Sequence, residues 1–358
     1  MTRAAEACID LSALQSNLQR VRKLAPTSRA MAIIKANGYG HGMLRIARAL
    51  GAADAFGVAC LEEALSLRDA GITQPILLLE GFYDASELEP ICRNELAVVV
   101  HQGFQIDILE RSAIPVPIQV WLKIDTGMHR LGFDPHHVAH AHERLLACRN
   151  VAQPLRLMTH LADADDRNGP VTQRQIDCFE TTVTGIKGER SIANSAATIA
   201  WPQTHTDWVR PGIMLYGISP FNDTDGAAEG LRPVMTFTSK LIAINNFKKG
   251  DRVGYGGEWE CPEDMAVGVV AVGYGDGYPR GVSSGISVLI SGQRVPVIGR
   301  VSMDMITVDL RSISAAQVGD TVTLWGNDLP VEEIAHHAKT IPYELVCRVT
   351  QRVRFVEC

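Results

Sequence analysis

Residues 30–42 read Ala-Met-Ala-Ile-Ile-Lys-Ala-Asn-Gly-Tyr-Gly-His-Gly, an apolar run closed by a lysine and followed by a glycine-rich turn. The run is too short for a helix and too uniformly apolar for a strand with one wet face, so it reads as a strand buried on both sides. Similar runs recur at 55–60, 75–80, 96–101, 118–125, 155–161, 190–194 and 206–213. Helix-like stretches lie between them, such as 61–70, where Leu61, Ala64, Leu65 and Leu67 fall near 3.6 spacing. Strands alternating with helices in this way predict a (β/α)8 TIM-type barrel. An open doubly wound sheet also alternates, but fitting eight units into about 210 residues favours closure. No GxGxxG follows a strand to mark a dinucleotide site.

From about residue 231 the pattern changes. Residues 234–244 mix apolar residues with Thr and Ser, 288–297 hold a Ser-Gly turn between two β-rich runs, and 301–310 and 321–325 read as further strands. One helix, about 331–338, interrupts them. Glycine divides the chain in the same place, 18 in residues 1–250 against 13 in the much shorter 251–358. The expected division is a barrel over 1–230 and a mostly β domain over 231–358, with the boundary in the Gly, Asp, Ala and Thr of 223–230.

Charge and cysteine narrow the function classes. The 34 Lys+Arg against 40 Asp+Glu leave a net charge of −6 without a basic block, which argues against nucleic acid. No apolar run approaches the ~20 residues of a membrane span, and Arg3, Glu6 and Asp10 stand where a leader needs apolar residues. A cytoplasmic protein is expected. Its 8 cysteines, without a CxxC pair, read mostly as reduced, buried hydrophobes rather than as a disulfide framework or zinc site.

In a parallel barrel the chemistry sits where strands end in their C-terminal loops. A lysine closing a buried strand, as Lys35 does, needs a partner or a covalent role, and the turn with Tyr39 behind it suits close approach to a ligand. Lys123 and Arg130 flank the end of the fifth run and suggest an anion site for a carboxylate; a salt-bridged surface loop explains them equally well. His160 ends the sixth run as an acid/base or supporting donor. Ser195 follows the seventh, and Arg210, Gly212 and Ile213 lie in the eighth, where free backbone amides suit a phosphate. His136, His137, His140 and His142 read as an exposed helix rather than a metal site. Glu62 and Glu63 read as first-turn helix acids, and Asp163, Asp165 and Asp166 as a solvated loop. No metal is expected.

Lys35-Ala-Asn-Gly-Tyr-Gly-His-Gly closely resembles the cofactor-lysine motif of alanine racemases, which more usually have Ala at the position of Gly38. The resemblance continues through Asp125-Thr-Gly-Met-His-Arg-Leu-Gly, Asn194-Ser-Ala-Ala-Thr, Trp208-Val-Arg-Pro-Gly-Ile, Val253-Gly-Tyr-Gly and Gly273-Tyr-Gly-Asp-Gly-Tyr-Pro-Arg. It ends at Val301-Ser-Met-Asp-Met and Tyr343-Glu-Leu. Each motif is weak alone, but their order along nearly the whole chain is specific. The family fold is a barrel binding pyridoxal 5′-phosphate (PLP) followed by a β domain, assembled as head-to-tail homodimers.

The resemblance implies that Lys35 is the Schiff-base lysine. Tyr39, Ser195, Gly212, Ile213 and Tyr343 would surround the phosphate, and Arg210 would face the pyridine nitrogen. Arg130 and the backbone of Met303 would hold the substrate carboxylate. Tyr255 would arrive from the other subunit, with Tyr274, Arg300 and Asp304 about the entrance. Lys123 matches a lysine often carried as a carbamate, which would orient Arg130. Interconverting L- and D-alanine requires acid/base groups on both faces of Cα, Lys35 on the D-substrate side and Tyr255 on the L-substrate side. An ordinary tyrosine, with a pKa near 10, needs cationic help to act as a base, for which His160 backed by Arg210 is the expected source. The product would serve peptidoglycan or the enzyme would break down alanine. A decarboxylase of basic amino acids on the same fold and a non-catalytic PLP carrier are the alternatives. Decarboxylases usually place a cysteine and acidic residues where Tyr255 and Met303 stand here, and carriers typically lack the β domain.

Overall fold

The computed structural model describes residues 4–282 and 284–358; Arg3, one of the charges noted at the start of the chain, lies outside them. Strands Arg29–Ile33, Ala55–Val58, Ile76–Leu78, Leu96–Val100, Ile118–Lys123, Val151–Met158, Arg190–Ser191 and Trp208–Val209 pair in parallel in sequence order and close into a barrel. Closure is made where Arg29 and Ala30 pair with Trp208 and Val209. Most ladders end before the apolar runs do. Lys35, Asp125, His160, Asn194 and Gly212 therefore fall just beyond their strands, in the loops of the C-terminal rim. That offset lets buried strands deliver polar side chains to one mouth.

The opposite end is plugged. Met31, Ile33, Leu77, Val99, Trp121, Met158 and Trp208 fill the barrel interior. Below them the Arg156 guanidinium lies 5.5 and 5.6 Å from the Trp121 and Trp208 rings, and that of Arg29 lies 4.2 Å from Trp208. Glu189 pairs with both arginines and accepts from the Trp208 indole at 2.9 Å. Cations stacked on aromatic faces and neutralised by a carboxylate make a stable floor. A ligand must enter from the rim.

The β domain is one eight-stranded sheet built around the long strand Met235–Phe247. The expected turn at Ser291-Gly292 joins Ser287–Ile290 to Gln293–Ile298, the strand expected over 301–310 shortens to Ile306–Asp309, and the helix spans Val331–His337. The sequence offered no signal for one further strand. Glu6–Ile9, from the other end of the chain, lies antiparallel to Met235–Phe247 and parallel to Arg354–Glu357. Four residues are too few to display a period. This placement also corrects the reading of two cysteines: Cys8 and Cys358 are joined as a disulfide with Cα atoms 6.0 Å apart, while the other six are free. Adjacency of two strands 350 residues apart cannot be read from cysteine spacing. No described helix is long and apolar enough to cross a membrane.

Besides the strand Glu6–Ile9, two further contacts help tie the domains together. Glu332 accepts from the backbone N–H groups of Ser219 and Gly226, 2.8 and 3.0 Å away in the segment that leaves the barrel. The short helix Pro342–Cys347 packs on the turn after Lys35. There a Cβ on Gly40 would lie 2.1 Å from the Val346 carbonyl oxygen, so only glycine fits.

Candidate active site

A cavity of about 840 Å³ opens at the barrel mouth. Ten residues singled out in the sequence line it together: Lys35, Tyr39, Lys123, Arg130, His160, Ser195, Arg210, Gly212, Ile213 and Tyr343. Nine come from the barrel, Lys123 at a strand's end and the rest in the segments that follow the strands, and Tyr343 comes from the β domain of the same chain. Tyr255, Met303, Tyr274, Arg300 and Asp304 are not among the lining residues. Tyr255 and Met303 are 70% and 51% exposed on the β domain. Arg300 pairs with Glu258, and Asp304 with Arg352. The folded chain thus gathers one set of motifs and leaves the other facing outward.

Lys35 leaves the barrel wall at the start of an unusual segment. Ala36, Asn37, Gly38 and Tyr39 all have positive φ, between 50° and 63°. L-residues visit this region one at a time and at a cost, so four in succession make a left-handed turn that must be held from outside. It turns Tyr39 back toward the cavity, where its ring lies 6.1 Å from that of Tyr343. Burial raises the pKa of both phenols, so they remain hydrogen-bond donors.

The anion loop is also closed on itself. Asp125 accepts from the N–H groups of Gly127 and His129, both at 3.0 Å, and Phe133 N–H returns to the Lys123 carbonyl at 2.9 Å. Arg130 is carried at the exposed tip. Lys123 is buried, and its pKa is lowered to about 8, first by burial and then by Arg210, Arg130 and Lys35. Neither Lys123 nor Arg130 has an ion-pair partner among the described residues, which decides against the salt-bridged surface loop. The mouth is set for an incoming anion.

On the far wall, Arg210 is fully buried. It donates to Ser191 Oγ and the Thr159 carbonyl, each at 2.6 Å, and lies 3.4 Å from His160 Nδ1. Burial lowers its pKa to about 10, which still leaves it charged near neutrality. The pKa of His160 is pushed well below its ordinary value by burial, then by Arg210, Lys123, Arg130 and Lys35. This refines the expected pairing: the cation is the guanidinium, and the imidazole beside it is neutral. With Nδ1 facing a donor, the His160 proton resides on Nε2.

The residues present fit a phosphate-bearing cofactor. Gly212 and Met214 direct their N–H groups at Ser195 Oγ, 2.8 and 3.4 Å away. A Cβ on Gly212 would come within 2.5 Å of the Tyr39 hydroxyl, so glycine keeps open a cradle between two strand ends. Backbone amides, a hydroxyl and two phenols suit phosphate oxygens, although Asp165 also lines the cavity near Tyr343. An aldehyde would meet the Lys35 amine across the same cavity.

Sequence reading missed Glu63 and Tyr216. Glu63, taken as a first-turn helix acid, accepts from Ala36 N–H at 2.7 Å and Ala59 N–H at 2.8 Å. Tyr216 is fully buried, donates to the Ile33 carbonyl at 3.1 Å and lies 4.8 Å from the Tyr39 ring. Neither role has a linear signal, because each acts on backbone or rings distant in the chain.

Comparison with known proteins bears on the same two regions. A family model described as "Alanine racemase, N-terminal domain" matches residues 9–220, and one described as "Alanine racemase, C-terminal domain" matches 234–357. The alanine racemase of Nitrosococcus oceani is 56% identical over 97% of this chain and 98% of that relative. Among solved structures, the biosynthetic alanine racemase of Pseudomonas aeruginosa superposes with a TM-score of 0.97 at 42% identity, over all of both chains. The alanine racemase of Bartonella henselae, described as having covalently bound pyridoxal phosphate, gives 0.89 at 26% identity over 99% of each.

Proposed function

Because this chain belongs to the alanine racemase family and is an isomerase, we propose that it interconverts L- and D-alanine with PLP in the barrel mouth and two proton-transfer groups from different subunits. The observation that carries the reading is the partition of the motifs. Lys35 and the anion-binding residues face one cavity, while Tyr255 and Met303 stand exposed outside it. A head-to-tail dimer brings the second set to the first.

PLP, when bound, supplies an electron sink that acidifies the Cα proton. Tyr39, Ser195, Tyr343 and the amides of Gly212 and Ile213 hold its phosphate, and Lys35 anchors it covalently. The Lys35 amine would also stand on one face of the substrate Cα and exchange a proton there. Tyr255 of a second copy serves the other face. Arg130 holds the substrate carboxylate with its fork, aided by the Met303 backbone of that copy.

Arg210 sets the character of the site. It keeps its proton near neutrality, so it does not protonate the pyridine nitrogen as a carboxylic acid would. A PLP ring held beside it would be a weaker electron sink, suited to brief proton removal at Cα. The neutral His160 carries the influence of Arg210 outward through its Nε2 proton, which steadies a tyrosinate at the mouth. Tyr274, Arg300 and Asp304 are assigned to the entrance. Lys123, with its lowered pKa, is assigned as the site of a carbamate that neutralises part of the cationic wall and orients Arg130. We place the protein in the cytoplasm, with D-alanine for peptidoglycan as its product, a role supported by likeness to a biosynthetic racemase.

Chiral analysis after incubating the purified protein and PLP with L-alanine tests the reading. An equal mixture of enantiomers is expected. Unchanged L-alanine, or release of CO2 from a basic amino acid instead, would overturn it.

A further inference from the structure

The left-handed turn 36–39 must be imposed, and two side chains outside the cavity bind it at its two ends. Glu63 holds the entry, with one carboxylate oxygen on Ala36 N–H at 2.7 Å and the other on Ala59 N–H at 2.8 Å, bridging the ends of two adjacent barrel strands. His41 holds the exit, with Nδ1 2.8 Å from the Tyr39 carbonyl and 3.2 Å from that of Gly38. Both partners are acceptors, so Nδ1 carries the proton. The ring is completely buried, lies 4.7 Å from the Tyr216 ring, and its Nε2 has no partner among the described residues. Its polar role is therefore the grip of Nδ1 on the turn.

Resting on the PLP reading above, we infer that His41 and Glu63 are positioning residues for the reaction, a clamp that holds the turn 36–39 left-handed and so aims Lys35 and Tyr39 together into the cofactor cavity. A right-handed path from the same strand end would leave Tyr39 facing elsewhere, because the turn alone reverses the chain between the two side chains. The remaining bonds of the turn stay within 34–43: Gly38 N–H donates to Ile34, Gly40 N–H to Ala36, His41 N–H to Gly38 and Gly42 N–H to Asn37, while Met43 N–H donates to Asn37 Oδ1. They close a turn without anchoring it to the barrel. Glu63 anchors it to the next strand, and His41 anchors it through its packing on Tyr216, which donates to Ile33. Burial lowers the pKa of His41 to about 4, so the grip does not change over ordinary working pH.

The test compares His41→Leu, His41→Asn and Glu63→Ala with the unaltered holoenzyme. Asn places an amide N–H where Nδ1–H stood, and Leu fills the space without a donor. PLP affinity is read from visible absorbance on titrating apoprotein, alongside kcat, KM for L-alanine and apoprotein Tm. His41→Leu and Glu63→Ala are each expected to weaken PLP binding about tenfold and to lower kcat at saturating PLP by a similar factor, with KM for L-alanine moving less than about twofold. His41→Asn is expected to recover to within about threefold. A lowered apoprotein Tm with PLP affinity and kcat unchanged in both variants would reduce the pair to bracing the fold and overturn the inference. If His41→Leu does not fold, Glu63→Ala, at a half-buried position, decides alone. Borohydride reduction and peptide mapping keep the two readings apart: no label at Lys35 in unaltered protein ends the PLP reading itself, whereas label there with reduced occupancy in the variants supports the clamp.

Discussion

The β domain and the barrel mouth treat their cations in opposite ways. On the β domain, Arg300 pairs with Glu258, Arg311 with Asp309 and Glu263, Arg294 with Glu333, and Arg352 with Asp304. Around the barrel mouth, Lys35, Lys123, Arg130 and Arg210 have no carboxylate within ion-pair distance among the described residues. The nearby Asp125 is turned instead to the N–H groups of its own loop. Exposed pairs, as most of these are, contribute little to stability. Unpaired cations gathered in a partly dry cavity are a standing cost. Such a cluster suits the phosphate and carboxylate of the proposed reaction.

The strongest way to break that contrast is to compare one residue from each half. Lys35→Ala is expected to abolish the visible absorbance of the lysine-bound cofactor and lower racemase activity by at least about a thousandfold. Tyr255→Phe is expected to keep the absorbance and to slow exchange of the Cα hydrogen of L-alanine in D₂O far more than that of D-alanine. Loss of absorbance in Tyr255→Phe would mean that the outward-facing motifs also hold the cofactor, and the division drawn here would fail. Equal slowing of both enantiomers would remove the two-base assignment.

A smaller effect tests where the halves meet. Mixed with free subunit exchange, inactive Lys35→Ala and inactive Tyr255→Phe chains should recover about a quarter of the unaltered activity, because half the dimers are hybrids and each hybrid holds one intact site. No recovery, with hybrids verified by mass, would place both residues within one subunit.

The same contrast explains what was legible in the sequence. The barrel was readable because most of its strands are short, largely apolar runs followed closely by a polar residue, so Lys35, Arg130 and Arg210 could be placed by counting. The strand Glu6–Ile9 was not, since its partners lie in the last third of the chain. Glu63 was legible only as a helix-terminal acid, because its task is to bind the backbone of a turn 27 residues earlier. The neutrality of His160 depends on burial and then on four cations that converge only in three dimensions. Linear patterns mark side chains that meet a ligand, and they leave dark those that hold backbone or set a field.

The smallest expected effect concerns Lys123, the one cation of the mouth whose charge is itself negotiable. Its pKa of about 8 lies below that of an ordinary lysine, so the fold penalises the protonated form and the penalty lifts as pH rises through 8. An appreciable fraction is thus a neutral amine near neutrality, which can attack CO2, forming an N–C bond and releasing one proton. The product carries a negative charge where a positive one stood, beside Arg130 and Arg210. With ¹³C-bicarbonate, a protein-bound carbonyl signal is expected that grows as pH rises through about 8 and is absent in Lys123→Ala. Depleting CO2 should lower activity only several-fold, chiefly by raising KM, since Arg130 would lose an orienting partner while retaining its charge. A signal that persists in Lys123→Ala would assign the carbamate elsewhere. No signal at any pH would leave the barrel mouth wholly cationic, so that its neutralisation falls to the cofactor phosphate and the substrate carboxylate alone.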